Sequence, residues 1–356
     1  MAFFEFYKGK KVLVTGATGF KGSWLCEILL RAGADVCGYS LDPPTDPNLF
    51  SILSLGKHMR NEIADVRDYA RLESIFQDFK PQVVFHLAAQ PLVLDSYERP
   101  RYTYEVNVMG TVNALECVRK TDSVRSFLNV TTDKVYRNDD IPDHPFAEDE
   151  PLDGYDPYSN SKSCSELVTH SYGKSFFYGK RDCAISTARA GNVIGGGDFA
   201  GNRIVPDCAR AMKGGRNIEL RNPDSTRPYQ HVLEPLFAYL LIAQKQYDDI
   251  GFQGCYNVGP DDEGCYSAMA VAETFIRHSG ADMKWIDKSN PNAPHEAAFL
   301  KLDNSKLKSA FGWNPTWNLD KAIEKSAEWY VTWIKGGDLK GCVDRQIDEF
   351  AGAWRF

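Results

Sequence analysis

The sequence predicts an α/β protein with a doubly wound parallel sheet and a smaller α/β domain, mostly C-terminal, interleaved with it. Three observations indicate this fold. Short apolar strands alternate with amphipathic helices over the first 190 residues. A glycine-rich turn joins the first strand to the first helix of this pattern. The chain has 356 residues, which is long enough for two interleaved domains with an ample core.

Composition and charge exclude several classes of partner. The formal net charge is -7, so we expect neither a nucleic-acid nor a membrane-binding surface. Nine scattered cysteines without a CxxC pair predict no disulfide framework and no metal site, and they are typical of a reducing cytosol. The lack of a signal peptide and of a long apolar stretch favours a cytoplasmic protein.

The first strand, Lys11 to Thr15, runs into a turn with GxxGxxG spacing. A helix follows and is ended by Gly33, and a second strand covers Ala34 to Tyr39. In such a βαβ unit the glycines let the backbone approach a dinucleotide, and the helix N-terminus receives its pyrophosphate. The alternative is a glycine turn that binds nothing. We predict a Rossmann-type cofactor site whose first contacts are Gly16, Thr18, Gly19, Phe20, Lys21 and Gly22.

The GxxGxxG spacing resembles that of the extended short-chain dehydrogenase/reductase superfamily. Members that use NAD commonly have an acidic residue at the end of the second strand, where this chain has Ser40. No arginine or lysine follows closely to hold a 2′-phosphate, so we expect NAD, with NADP as the alternative.

Further strands and helices continue the alternation. Asn61 to Ala64 is the third strand, Gln82 to Leu87 the fourth and Ser126 to Val130 the fifth, and a long helix covers Glu105 to Arg119. The small residues after the fourth strand would let the chain pass close to a cofactor. We predict further cofactor contacts at Ser40, Asp65, Val66, Leu87, Ala88, Ala89, Gln90 and Asn107.

Tyr158 and Lys162 stand four residues apart in a helix that begins after Asp156 and Pro157, so both can point at one site. A lysine ammonium near a phenol favours the phenolate and lowers its pKa, which suits a general base for alcohol oxidation. A lone YxxxK pair on a helix is more often chance. In the short-chain dehydrogenase family the pair is catalytic and its lysine holds the nicotinamide ribose. The resemblance implies these roles here.

Thr132, Asp133 and Lys134 follow the fifth strand. An oxidation or epimerisation needs only the Thr132 hydroxyl beside the tyrosine, whereas a dehydration also needs an acid and a base. To act as a base Lys134 must be neutral, which requires burial or nearby positive charge. The alternative is that Lys134 only pairs with Asp133 or contacts a phosphate, because adjacent residues of a strand face opposite sides. Only a strand end or a bulge would let both reach the site.

Nucleotide-sugar 4,6-dehydratases commonly have Thr-Asp-Glu at this place. The Thr-Asp-Lys of this chain, together with segments 18–25, 39–45, 190–198 and 221–232, resembles the CDP-glucose 4,6-dehydratases. The resemblance runs from the first strand to about Leu319. It departs at Leu94, where an arginine is usual.

The resemblance implies a lyase of deoxysugar biosynthesis. Tyr158 would deprotonate the 4-hydroxyl during oxidation by NAD, Lys134 would remove the C5 proton, and Asp133 would protonate the leaving 6-hydroxyl. The product would be CDP-4-keto-6-deoxyglucose, with NAD regenerated.

The second half of the chain is expected to bind the nucleotide sugar. Arg189 ends the sixth strand and is counted among the cofactor contacts. An acidic protein needs a local cluster of cations for a diphosphate, and the resemblance places an arginine on it at Arg227. The alternative for the other arginines is a solvated surface position. We predict substrate contacts at Gln90, Tyr136, Asn192, Arg203, Arg221, Arg227 and His295.

The predicted domains are residues 1–190 plus about 231–255 for the cofactor, and about 191–230 plus 256–356 for the nucleotide sugar. We also expect a homodimer formed through Glu105–Arg119 and Tyr158–Phe177, as in the family. Three alternatives stay open: a nucleotide-sugar 4-epimerase, a dehydratase for another nucleotide hexose, and an inactive cofactor sensor or scaffold.

Overall fold

The computed structural model describes residues 2–141, 143–261, 265–289 and 300–355. Its strands are β1 Lys11–Thr15, β2 Asp35–Ser40, β3 Arg60–Ile63, β4 Val83–His86, β5 Ser126–Thr132, β6 Pro145–Phe146, β7 Ala184–Ala190, β8 Asn192–Ile194, β9 Ile218–Leu220, β10 Thr226–His231, β11 Cys255–Val258, β12 Cys265–Ser267, β13 Trp285–Asp287 and β14 Lys301–Leu302.

The helices alternate with these strands in the first half of the chain. They are α1 Ala2–Tyr7, α2 Phe20–Arg31, α3 Leu49–Ile52, α4 Tyr69–Phe79, α5 Val93–Glu98, α6 Pro100–Tyr104, α7 Gly110–Arg119, α8 Pro157–Tyr172, α9 Ile204–Lys213, α10 Leu233–Asp248, α11 Ala268–Ser279, α12 Ser305–Phe311, α13 Leu319–Ile334 and α14 Leu339–Ala353. None of the described helices is long and apolar enough to span a bilayer.

Seven strands form one sheet in the order β11-β7-β5-β4-β1-β2-β3, and every neighbouring pair is parallel. The chain builds outward from β1 in one direction and then returns to the other side of β1 through β4. A crevice opens at the carboxyl ends of the strands where the order switches, and ligands of such sheets bind there. The predicted doubly wound α/β fold is therefore confirmed.

Helix starts follow local capping chemistry. The Asp156 side chain accepts a hydrogen bond from the backbone N–H of Ser159 at 3.0 Å, and Pro157 occupies the first turn of α8. This cap fixes where the helix with Tyr158 and Lys162 begins. The helix predicted over 105–119 starts with a π-helical turn, Glu105–Met109, which apolar periodicity does not reveal.

Smaller sheets lie in the second half of the chain, in the orders β12-β10-β8, β13-β9 and β14-β6. Helix α10, which is buried on most of its surface, packs back against β5. Strand β11 extends the large sheet just past the predicted boundary at residue 255. The division into two domains stays a prediction.

Helix α2 is tied to the loop after β8. The Trp24 indole N–H donates to the Gly196 carbonyl at 3.0 Å. The Trp329 ring packs so closely on Gly196 that a Cβ there would lie 2.0 Å from the ring. Helix α2, which begins at the predicted cofactor site, and the loop after β8 are therefore packed together.

Candidate active site

A cavity of about 1500 Å³ lies at the carboxyl ends of the parallel strands. The glycine turn after β1 lines one end, and the segment after β5 lines the middle. The far end is lined by β9 and residues near it, including Glu219, Arg221, Lys288 and Ser289. The cavity thus passes from the predicted cofactor site through the predicted catalytic segment to the second half of the chain.

The first end is a cradle made of backbone. Gly16 has φ +75°, and a Cβ there would lie 2.8 Å from the backbone nitrogen of Ala88. A Cβ on Gly22 would lie 2.1 Å from the Gly16 carbonyl oxygen. Helix α2 begins directly after Gly19 and directs its N-terminal N–H groups at this space. The geometry fits a dinucleotide pyrophosphate, which needs close backbone approach and a helix N-terminus.

The predicted cofactor contacts after β2 and β3 show fewer features of a binding site. The Ser40 hydroxyl accepts a hydrogen bond from the Thr18 backbone N–H at 3.3 Å, so it supports the glycine turn. The carboxylate of Asp65 lines the cavity and pairs with Arg67 at 2.8 Å, and this hydrogen bond lowers the pKa of Asp65. Leu94 also lines the cavity and is 40% exposed.

Strand β5 ends at Thr132, and a single 3₁₀ turn, Asp133–Val135, follows it. The Thr132 hydroxyl accepts from the Lys134 backbone N–H at 3.4 Å, which caps this turn. Because the alternation of a strand stops here, Asp133 and Lys134 both line the cavity. From the sequence, both side chains reach the site only at a strand end or a bulge, and the structure has a strand end here.

Asp133 is the acid at the centre of the cavity, with a side chain only 1% exposed. Its Oδ1 accepts from the Thr132 hydroxyl at 2.9 Å and from Lys134 Nζ at 3.3 Å. Its Oδ2 has no hydrogen-bond partner among the described residues and lies near Gly191, where a Cβ would be 3.2 Å away. Lys134 Nζ also approaches Asn192 Oδ1 at 3.5 Å.

Tyr158 and Lys162 line the same cavity, as their spacing predicts. Burial lowers the pKa of Lys162 to about 8, and the Glu166 carboxylate opposes that shift. Lys162 Nζ donates to the Val130 carbonyl at 3.0 Å. Burial raises the pKa of Tyr158 to about 12, although a hydrogen bond with Thr132 lowers it. The expected lowering of the Tyr158 pKa is therefore wrong for the protein alone, because desolvation of the phenolate outweighs the hydrogen bond with Thr132 and the nearby Arg203 guanidinium.

Lys21 brings a further cation to this centre. Burial lowers the pKa of Lys21 to about 7, and the nearby Arg203 guanidinium lowers it further, while Asp133 opposes the shift. Lys162 and Lys134 also act on it. The side chain of Lys21 therefore faces the catalytic segment as well as the predicted cofactor cradle.

The predicted arginines line the far half of the cavity, each with a protein partner. Arg203 pairs with Asp198 at 3.0 Å, and Arg221 donates to the Asn202 side-chain oxygen at 2.9 Å. Arg227 is buried and donates to the Thr226 carbonyl at 2.9 Å. Asn192 and Tyr136 line the cavity beside them.

Three predicted contacts do not line the cavity. Gln90 and Asn107 bond each other instead: the Gln90 backbone N–H donates to Asn107 Oδ1 at 2.8 Å, which holds the loop after β4. Arg189 turns into the sheet and pairs with Glu166, so its predicted cofactor role is corrected. His295 lies outside the described residues.

Two residues at or behind the site, Glu166 and Glu219, were not predicted from the sequence. Glu166 contacts Arg189 and acts on Lys162, yet it looks like one more polar residue of α8. Glu219 alternates with buried Ile218 and Leu220 in β9, so period-two burial could have pointed it out. The other predicted residues all line the cavity. They are Gly16, Thr18, Gly19, Phe20, Lys21, Gly22, Ser40, Asp65, Val66, Leu87, Ala88, Ala89, Thr132, Asp133, Lys134, Tyr136, Tyr158, Lys162, Asn192, Arg203, Arg221 and Arg227.

Comparison with known proteins gives a consistent result. The family model described as GDP-mannose 4,6 dehydratase matches residues 13–326. A CDP-glucose 4,6-dehydratase of Salmonella typhimurium is 44% identical over 354 residues, which cover 98% of each chain.

Two solved structures share the fold. A UDP-glucose 4-epimerase of Thermus thermophilus in complex with NAD is 26% identical, covers 90% of this chain and 98% of its own, and has a TM-score of 0.77. A dTDP-glucose 4,6-dehydratase of Bacillus anthracis in complex with NAD is 22% identical, covers 90% and 96%, and has a TM-score of 0.75.

Proposed function

The chain belongs to the GDP-mannose 4,6 dehydratase family, and from that premise we propose that it removes water from CDP-glucose to give CDP-4-keto-6-deoxyglucose. The observation that carries the reaction type is the contact of Asp133 with both Thr132 and Lys134 in the cavity that also holds Tyr158. An elimination needs an acid and a base, the roles proposed for Asp133 and Lys134, whereas an epimerisation needs neither. The CDP-glucose 4,6-dehydratase that is 44% identical supports the choice of CDP-glucose.

The cofactor that we propose is NAD, held by the glycine cradle at the start of α2. Gly16 and Gly22 leave no room for a Cβ, and the helix N-terminus faces the same space. The NAD complexes of the two similar structures support this choice. NAD, when bound, supplies oxidation at the sugar C4 and reduction at C6, and its positively charged ring favours the Tyr158 phenolate.

Side chains of the protein carry out the proton transfers. Tyr158 Oη takes the proton of the 4-hydroxyl, with the Thr132 hydroxyl beside it. A ketone at C4 acidifies the proton on C5. Lys134 Nζ removes this proton and returns it to C5 once C6 has been reduced. Asp133 donates a proton to the leaving 6-hydroxyl, which departs as water. Its unpartnered Oδ2 is the atom available for that transfer. Lys162, as in the family, holds the ribose next to the reacting carbon.

A direct experiment tests this assignment. The purified protein with NAD is incubated with CDP-, dTDP-, UDP- and GDP-glucose, and each product is weighed by mass spectrometry. We expect loss of water from CDP-glucose. A product of unchanged mass that separates from the substrate by chromatography would instead indicate an epimerase, and recovery of all four substrates unaltered would refute the proposal. Water loss from a different nucleotide sugar would change only the proposed nucleotide and would keep the proposed reaction.

We also propose a homodimer formed by the paired helices of the large sheet. Three large apolar side chains on these helices are exposed: Met109, Leu167 and Phe176, at 50%, 53% and 42%. Such residues on adjacent helices suit a second copy of the chain. Light scattering should give twice the monomer mass, and Leu167→Glu should shift it towards the monomer. A monomer at every concentration would refute this proposal. A cytoplasmic location stays a prediction.

A further inference from the structure

A buried ion pair lies directly behind the catalytic segment. Arg189 Nη2 and Glu166 Oε2 are 3.1 Å apart, and both side chains are only 3% exposed. Neither residue lines the cavity. A buried pair of this kind adds little net stability compared with well-packed apolar side chains.

Glu166 connects helix α8 to the catalytic strand. It stands one turn beyond Lys162, on the same helix as Tyr158. Its Oε1 accepts a short hydrogen bond from the hydroxyl of Thr131, the residue before Thr132. Its Oε2 accepts from the Thr187 hydroxyl at 2.7 Å as well as from Arg189. One carboxylate thus holds the end of β5 and strand β7 against the helix that carries the tyrosine and lysine.

Arg189 connects the same carboxylate to the substrate side. Its Nη1 donates to the Tyr136 hydroxyl at 2.7 Å and to the Glu148 carbonyl at 3.0 Å. The guanidinium lies 5.0 Å from the centre of the Tyr136 ring. The Tyr136 hydroxyl in turn donates to Asn257 Oδ1 at 2.6 Å. Tyr136 lines the cavity just past Lys134, so Arg189 fixes one wall of the site without entering it.

We propose that Glu166 and Arg189 are positioning residues, which hold Thr131 and Thr132 on one side and Tyr136 on the other in register with helix α8. The kinetic part of this inference rests on the proposed function. The geometric part stands on the contacts alone.

Glu166 has a second, electrostatic effect. The charged and titratable groups that face Lys162 are Tyr158 and Glu166 from α8, Lys21 from α2 and His86 from β4. Burial lowers the pKa of His86 to about 3, so it adds no charge near neutral pH. Glu166 is the anion of this set, and it favours the protonated form of Lys162. Its removal should let Lys162 lose its proton at lower pH.

The test uses Glu166→Gln in the full protein with NAD. Two measurements are made: hydrogen exchange of peptides covering residues 128–137, and kcat for water loss from CDP-glucose against pH. We expect faster exchange in that segment and a kcat that is roughly 10- to 100-fold lower, because small displacements of catalytic groups are costly. We also expect the alkaline limb of the kcat profile to move to lower pH. Unchanged exchange with an unchanged pH profile would overturn the proposal.

Two further variants separate positioning from general loss of structure. Ser186 is on the same strand as Arg189 and does not line the cavity. Ser186→Ala removes its buried hydrogen bonds to Gln246, at 2.5 Å, and to the Gly254 N–H, at 2.9 Å. It should leave the alkaline limb and the exchange of residues 128–137 unchanged. If it reproduces the effects of Glu166→Gln, the proposal fails.

Thr131→Val removes only the hydroxyl that bonds Glu166 and keeps the ion pair. It should increase exchange at the end of β5 even if Glu166→Gln does not fold, and normal exchange in this variant would count against the proposal. If the unaltered protein dehydrates no nucleotide sugar, the proposed function is wrong, yet the exchange measurements still decide the positioning role.

Discussion

Replacing Lys134 by methionine tests the assignment that most defines the reaction. The ammonium contacts Asp133 at 3.3 Å and Asn192 at 3.5 Å, and the side chain is 25% exposed. The Asp133 carboxylate is only 1% exposed, and removal of one partner of a buried ion pair costs up to about 3–5 kcal/mol of stability. Loss of a general base lowers kcat by about 100- to 10,000-fold, or ~3–5 kcal/mol of barrier. We therefore expect a large loss of water-forming activity together with a lower Tm, so that activity is measured at a temperature at which the variant is folded.

The assay is mass spectrometry of the nucleotide sugar over time, with thermal unfolding measured in parallel. Lys120→Met is a matched control, because Lys120 also pairs with one carboxylate, Glu73, at 2.9 Å but lies on the surface. Lys134→Arg adds a second arm, since a guanidinium keeps the charge but does not give up its proton. Normal turnover in Lys134→Met would refute a role as base. Activity restored by arginine would show that Lys134 acts as a cation.

Three other predictions follow from the structure. Gly22→Ala should lower both the Tm and the NAD content, because its Cβ would lie 2.1 Å from a backbone oxygen, whereas Gly352→Ala, with nothing within 4 Å, should change neither. The kcat of the unaltered protein should fall as pH rises above about 8, where Lys162 loses its proton; a flat profile would contradict this. Burial raises the pKa of Glu234 to about 8 from 4.5, so the folded state keeps a proton that the unfolded chain releases, and stability should fall as pH rises between these values. Glu234→Gln should lose this dependence of Tm on pH, and an unchanged dependence would contradict the assignment.

The sequence predicted those parts of the site that depend on neighbours along the chain. The glycine turn joins β1 to α2 within a few residues, and its conformation follows from glycine alone. Tyr158 and Lys162 meet because a helix brings positions four apart to one side. The placement of Asp133 beside Lys134 needed the exact end of β5, which a sequence pattern does not locate to within one residue.

The errors arose where a long-range partner decides the outcome. Arg189 stands at the carboxyl end of a parallel strand, a place where cofactor contacts are common. Its partner Glu166 is 23 residues away, and only the packing of α8 on the sheet brings the two together. The prediction of a lowered pKa for Tyr158 is wrong for a similar reason. Burial of the phenol raises its pKa, and this burial comes from the whole folded cavity, which the sequence does not show.

The two ends of the cavity differ in what builds them, and this difference matters for protein engineering. The cofactor end is backbone, and at Gly16 and Gly22 no larger residue fits. The far end is lined by the exposed side chains of Glu219, Arg221 and Lys288, which contribute little to the core. Under the proposed function, libraries that vary this far end can search for new nucleotide specificities without changing the glycines of the cofactor end.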